Sequence, residues 1–209
     1  MYIPAPFRVD DRQTILAFMR QFDFAAVVTG SVSGLIASHV PVVVREDGND
    51  LTIAGHLARA NEHWKFMDGQ SESMVIFSGP HAYISPSWYA STRMVPTWNY
   101  TVVHAYGRPT ANATSTFLRS VVEELTRRQE AHREPPWTTE RLPDEAYDRM
   151  LGAIVGFEMR VDRCEAVFKL GQNRPEADRT GAAAGLDREQ SAASAALAEF
   201  MRRFGGAGR

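Results

Sequence analysis

GLIASHVPVVVREDGNDLTIAGH, residues 34–56, has the pattern of two β-strands joined by a tight turn. Its apolar runs, 34–44 and 51–56, are rich in the β-branched residues that strands favour, and Asp47-Gly48 between them is a hairpin signal. Similar runs flank this hairpin at 24–30, 73–79, 81–85, 99–107 and 154–170. Short strands in hairpin order, interrupted by a few helices, predict a mainly β (α+β) barrel. Because a small barrel fills its own interior, a cofactor-sized ligand is expected outside it, in a groove between two subunits.

Helical segments separate these strands. Apolar spacing and capping residues predict helices over 12–22, 57–68 and about 113–133, and a further helix opened by Pro143-Asp144-Glu145. The composition becomes rich in alanine towards the end of the chain. We therefore predict one cofactor-binding domain over 1–186 and a C-terminal helix or tail over 187–209.

Composition and charge exclude several classes of protein. The 209 residues carry a formal net charge of −2, and the sequence pI is about 6.3, so the sequence predicts no basic surface for nucleic acid. Cys164 is the single cysteine, which excludes an intrachain disulfide and fits a reducing compartment. We find no apolar run long enough to span a membrane and no apolar leader at the N-terminus, and therefore expect a cytoplasmic protein.

Several longer motifs follow one another along residues 1–186: MYIP, GHLARAN, GPHAYISPSWY, VPTWNYTVVHAYG, AIVGFE and KLGQNRPEADR. In this order they resemble the PaiB-type (FMN_bind_2) branch of the split β-barrel flavoproteins. The resemblance implies an FMN-binding-type split β-barrel of six strands. It also implies a homodimer with two cofactor sites between the subunits.

Two functions occur among the proteins that the chain resembles. One group comprises FMN-binding negative transcriptional regulators. The other contains haem-dependent piperazate synthases, which cyclise N5-hydroxy-L-ornithine to piperazate with loss of water. The sequence shows no helix-turn-helix, zinc module or basic recognition helix, so direct DNA binding is not expected. We therefore expect a haem b enzyme of the lyase class that acts on a small amino-acid substrate. The alternative is an FMN-binding regulator or a small flavin-dependent oxidoreductase.

Arg59 and His63 are the residues on which this choice depends. In the predicted 57–68 helix they lie four residues apart and share one face. Arg59 would occupy the first helical turn, where free N–H groups favour a flavin phosphate or a haem propionate. His63 stands where the regulator-like pattern usually has glutamine, and a neutral imidazole can ligate haem iron. The alternatives are a surface arginine paired with Glu62 or Asp68, and a histidine that is solvated or bonded to flavin.

The remaining predicted site residues belong to the same motifs. PSWY and PTWNY bring aromatic side chains together as a rigid wall for a flat ring, or as an aromatic core at the barrel mouth. The resemblance implies that KLGQNRP closes the partner's cofactor site. We predict His63 as metal ligand, and as catalytic residues His63, Lys65 and Tyr100. The predicted cofactor-binding residues are His56, Arg59, Asn61, Trp98, Asn99, Lys169 and Gln172.

Overall fold

Six β-strands form a closed barrel, in the order β1-β2-β3-β6-β5-β4 around the ring. The computed structural model describes residues 1–31 and 34–205. The strands are β1 (Phe24–Ser31), β2 (Gly34–Asp47), β3 (Asp50–Ala58), β4 (Ser73–Ile84), β5 (Thr97–Asn112) and β6 (Ile154–Lys169). The α+β barrel predicted from the sequence is confirmed, as are the six strands that the resemblance implies, with the predicted runs 73–79 and 81–85 joined in β4. The homodimer and the division of the chain at residue 186 remain predictions.

The hairpin formed by β2 and β3 has the predicted turn. Asp47 pairs with Asp50 in the antiparallel ladder, which leaves Gly48 and Asn49 as a two-residue loop. Gly48 has a φ of 57°, in the left-handed region that such a loop requires and that glycine adopts without strain. The turn therefore sets the register of both strands, from Asp47–Asp50 to Val42–Gly55.

Five α-helices accompany the barrel in the described part of the chain: α1 (Arg12–Gln21), α2 (Ser115–Glu130), α3 (Asp144–Gly152), α4 (Glu176–Arg188) and α5 (Ala192–Phe204). The helix predicted over 57–68 is wrong. Instead β3 continues to Ala58, because Leu57 and Ala58 pair with Val155 and Ile154 of β6. A turn and a short 3-10 helix, Glu62–Phe66, then complete this segment. No helix in the described residues is long and apolar enough to cross a membrane.

The chain divides into two compact units. The first, called the barrel unit, consists of Met19–Phe77 and His104–Cys164. In it, α2 covers the outer face of the β2–β3 hairpin, where Val121 and Leu125 pack against Val43 and Ala54. On its other side α2 packs against α3, with Tyr147 and Leu151 buried. Helix α2 thus explains why Val42, Val43 and Val44 are all buried although strand residues alternate in direction.

The second unit, called the terminal unit, consists of Met1–Phe18, Ser78–Val103 and Glu165–Arg209. Aromatic side chains hold it together, since the Phe168 ring lies 4.9 Å from that of Phe18 and 5.5 Å from that of Phe204. Trp88 packs against α4 where the helix has glycines, and a Cβ atom on Gly185 would lie 2.2 Å from the indole. Trp88, which was predicted to be part of a cofactor wall, is therefore a packing residue of this unit.

Candidate functional site

Arg59 lies in the turn after β3, not in the first turn of a helix. Its Nε donates a hydrogen bond to the carbonyl oxygen of Gly152 at 2.7 Å, and its Nη2 donates to that of Ile154 at 3.0 Å. Its backbone N–H donates to the carbonyl of Ala153. These carbonyls lie at the C-terminal end of α3, where the helix dipole favours a cation. The predicted helical anion site at Arg59 is therefore wrong in its geometry, because Arg59 caps the end of α3.

His63 lies in the barrel unit with only 1% of its surface exposed. Its Nδ1 is 2.9 Å from Ser38 Oγ, and its Nε2 is 2.8 Å from Thr29 Oγ1. Thr29 Oγ1 in turn lies 2.7 Å from Ser73 Oγ. The structure thus replaces the predicted helical face shared by Arg59 and His63 with two separate sets of contacts.

A neutral imidazole satisfies every group in this buried network. If Ser38 donates to Nδ1, then Nε2–H donates to Thr29, and the hydroxyl of Thr29 donates to Ser73. Burial disfavours the charged ring and lowers the pKa of His63 from its ordinary value. Both nitrogens are used within the protein, so this geometry leaves no lone pair for iron. The role of His63 as a metal ligand stays a prediction, and one that its hydrogen bonds oppose.

Unlike His63, His56 has a ring nitrogen without a hydrogen-bond partner in the described structure. It is half-buried on β3 opposite Gly156, and its Nδ1 is buried without a hydrogen-bond partner in the described structure. Burial lowers the pKa of His56, so the ring is neutral at physiological pH. Of His56 and His63, His56 is therefore the one with a ring nitrogen that no described protein group binds.

The two polar residues that flank His63 also have partners. Asn61 accepts from the backbone N–H of His63 and donates to Ser38 Oγ at 3.0 Å, so its amide supports the buried network. Lys65 is exposed and forms an ion pair with Glu62. Such a surface pair contributes little to stability, and the catalytic role of Lys65 stays a prediction.

Three aromatic rings form an exposed patch in the terminal unit, called here the aromatic patch: His81, Tyr83 and Trp98. The Trp98 ring lies 6.4 Å from that of His81 and 6.3 Å from that of Tyr83. Trp98 is 55% exposed and Tyr83 is 45% exposed. Tyr100, predicted to be catalytic, is half-buried on β5. Of the predicted aromatic wall, Trp98 is exposed beside two other rings, and its role in binding a cofactor stays a prediction.

The other predicted residues of this unit divide into buried and accessible groups. Asn99 is buried and donates to the sulfur of Met201 at 3.5 Å. Gln172 accepts from the backbone N–H of Leu170 and donates to the carbonyl of Phe168, so its amide closes the turn after β6. Lys169 donates to Thr97 Oγ1 at 2.6 Å. Burial, and secondarily the charge of Arg174, lower the pKa of this lysine. Asn99 and Gln172 are thus structural, whereas Lys169 keeps donors for a ligand.

Sequence analysis missed the hydroxyl groups that surround His63. Thr29, Ser38 and Ser73 occupy buried positions in apolar strands, and a small polar residue in such a run was the available signal. It also missed His81 and Tyr83 as members of an exposed surface. The alternation along HAYIS places these two residues on the same side of β4. The described residues contain no group of three or more His, Cys, Asp and Glu side chains arranged to hold a metal ion.

Comparisons with known proteins agree with this architecture. The family model described as "Putative FMN-binding domain" matches residues 1–163. The chain is 36% identical over 204 residues to "Protease synthase and sporulation protein PAI 2" of Bacillus subtilis, which covers 96% of each protein.

Solved structures share the fold at low sequence identity. The FAD and haem binding protein from Mycobacterium smegmatis superposes with a TM-score of 0.59 at 13% identity, covering 85% of this chain and 80% of that one. The flavocytochrome Anf3 from Azotobacter vinelandii superposes with a TM-score of 0.57 at 16% identity, covering 84% and 74%. The family match over most of the chain and the identity to PAI 2 together show that this protein belongs to the PaiB-type family of FMN-binding domains.

Proposed function

We propose that the protein binds FMN and works through this flavin, rather than through haem ligated by His63. The family match supports a flavin. The observation that carries the choice is the position of His63, which is buried and shares both ring nitrogens with protein hydroxyls. Ligation of iron would require this histidine to leave a fully satisfied network, which costs about 1–3 kcal/mol for each buried group left unpaired.

The aromatic patch is the surface that fits a flavin ring. Trp98 and Tyr83 expose much of their rings, and such aromatic side chains stack on flat ring systems. His81 completes the patch and offers a polar edge beside the rings. When bound, FMN supplies hydride or single-electron transfer, and these side chains orient its ring and shield one face from water.

The net charge of −2 bears on the kind of activity. A chain with this balance gains little affinity from DNA phosphates. A regulatory role would therefore depend on the flavin or on a partner protein, whereas an oxidoreductase needs only a redox substrate. If the protein is an oxidoreductase, we expect the FMN-bound protein to consume reduced nicotinamide catalytically in the presence of an electron acceptor. A regulator is not expected to do so.

Haem remains as a second candidate because of His56. Its Nδ1 is buried without a hydrogen-bond partner in the described structure, and the lowered pKa keeps the ring neutral, which is the form that ligates iron. The piperazate synthase hypothesis requires this ligand in place of the predicted His63.

Identification of the bound chromophore tests the proposal. We expect protein produced with adequate riboflavin and haem precursors to be yellow, and to release FMN when it is denatured. A haem Soret band in the purified protein would contradict the proposal. The band's loss in His56→Ala, with its retention in His63→Ala, would then assign the iron to His56.

A substitution in the aromatic patch tests whether FMN binds there. Trp98→Ala should weaken FMN binding about threefold to tenfold, because aromatic stacking contributes about 0.5–1.5 kcal/mol beyond area burial. Quenching of flavin fluorescence gives the dissociation constant. Met150→Ala removes a comparably exposed apolar side chain from the barrel unit and is the matched control. Equal affinities of Trp98→Ala and wild type for FMN would exclude the aromatic patch as the flavin site.

A further inference from the structure

Two half-buried cations, Lys169 and Arg174, lie near the end of β6. Lys169 and Arg174 both lie in the terminal unit, and neither forms an ion pair with any residue that the structure describes. The chain as a whole is slightly acidic, so this pair is not part of a generally basic surface.

The contacts of both side chains are with neutral groups. Lys169 Nζ donates to Thr97 Oγ1 at 2.6 Å. Arg174 Nη1 lies 3.8 Å from the sulfur of Met94, and its guanidinium lies 5.8 Å from the centre of the Tyr89 ring. A hydroxyl, a thioether and a phenol ring hold the two groups in place without neutralising them. Most of their N–H donors remain available.

The backbone holds Arg174 in position. Gly171 has a φ of 82°, and the N–H of Arg174 donates to the carbonyl of Gly171 at 2.9 Å, which closes a turn between Lys169 and Arg174. Arg179 Nη1 donates to the carbonyl oxygen of Arg174 at 2.8 Å. The turn therefore fixes the backbone between Lys169 and Arg174, and the charge of Arg174 acts on Lys169.

Asp178 is the carboxylate whose charge acts on Arg174, and no direct ion pair joins the two side chains. It is 1% exposed, and its Oδ1 accepts from the backbone N–H of Ser91 at 2.8 Å. This hydrogen bond is the largest cause that lowers the pKa of Asp178, so the carboxylate is charged, and its Oδ2 is buried without a hydrogen-bond partner in the described structure. Like charges that are partly desolvated and left unpaired destabilise a fold, and they are common where an external anion binds.

We propose that Lys169 and Arg174 form a binding site for the oxyanion of a small molecule, a carboxylate or a phosphate group. Two donor groups in a fixed turn suit an oxyanion, and arginine binds such groups in bidentate fashion. Successive strand residues point to opposite faces, so Thr97, which contacts Lys169, and Trp98 face opposite sides of β5. The site is therefore separate from the aromatic patch and provides recognition of a substrate or effector.

Calorimetric titration of the full-length purified protein tests this site. Inorganic phosphate and succinate are the two probes, and sodium chloride at equal ionic strength is the reference. We expect saturable binding of at least one probe, and the probe that binds distinguishes a phosphate ligand from a carboxylate. Lys169→Gln keeps a donor for Thr97 but removes the charge, and it should weaken binding at least about tenfold, as should Arg174→Gln. Arg188→Gln removes an exposed charge from the end of α4 and should bind as wild type.

Thermal unfolding gives a second readout. In chloride alone, Lys169→Gln should unfold at the wild-type temperature or above it, because it relieves repulsion with Arg174. Phosphate or succinate should raise the unfolding temperature of wild type and not that of the variant. Absence of saturable binding beyond chloride, or wild-type affinity in both variants, would overturn the proposal. Loss of bound chromophore from both variants would also overturn it, by assigning the pair to the cofactor site, and would leave FMN binding itself intact as a hypothesis.

Discussion

At the scale of single residues, burial decides what each histidine can do. His63 and His56 are close in sequence and both are neutral, since burial lowers the pKa of each. They differ in their hydrogen bonds: His63 has a hydroxyl partner at each nitrogen, and the Nδ1 of His56 has none in the described structure. A buried imidazole with two partners stabilises the fold, whereas a buried ring nitrogen without a partner carries an uncompensated desolvation cost.

His63→Ala should therefore act on stability. It removes the imidazole partner of the Ser38 and Thr29 hydroxyls, which keep Asn61 and Ser73, and it opens a cavity, so we expect the free energy of unfolding to fall by about 1–3 kcal/mol. Urea denaturation measures the change. His63→Gln keeps a donor and an acceptor and should lose less. Unchanged stability together with loss of a bound haem would instead support the role of His63 as a metal ligand.

At the scale of elements, Arg59 connects the turn after β3 with the end of α3. Its guanidinium donates to the carbonyl of Gly152, the last residue of α3, and to that of Ile154, the first residue of β6. Helix α3 is short, nine residues, so its last turn depends on such contacts.

Arg59→Ala should accordingly destabilise α3 and leave cofactor binding intact. An anion site at a helix start would produce the reverse, a loss of cofactor binding with unchanged stability. We expect a loss of about 1 kcal/mol in unfolding free energy, and faster hydrogen exchange in the last turn of α3. Arg149→Ala is the matched control, because Arg149 also lies in that turn. If Arg59→Ala loses the chromophore and keeps its stability, Arg59 binds the cofactor's anion.

At the scale of the whole molecule, the burial of His63 and the partial burial of His56 make the free energy of unfolding depend on pH. The unfolded chain has histidine pKa values near about 6.5, and the folded values of His56 and His63 are lower. Below that pH the unfolded state binds more protons than the folded state, so the unfolding free energy decreases with falling pH. The loss is at most about 1.4 kcal/mol per pH unit for each histidine.

Urea denaturation at pH 7.5 and at pH 5.5, about one unit either side of the histidine pKa, should show this loss in wild type. His63→Gln should show a smaller difference between the two pH values. His132→Gln, which alters an exposed histidine, should show the wild-type difference. An equal difference in all three proteins would assign the pH dependence to other groups.

The sequence by itself determined the strands, the Gly48 turn and the long helix α2, because alternation, turn chemistry and apolar spacing act between near neighbours. The tertiary structure decided the segment after β3. There, pairing with β6 extended the strand and replaced the predicted helix with a turn. It also decided the partners of His63, since Thr29 lies 34 positions away and Ser38 lies 25 away. Local patterns carry no information about which distant hydroxyls meet an imidazole, because the closure of the barrel brings them together.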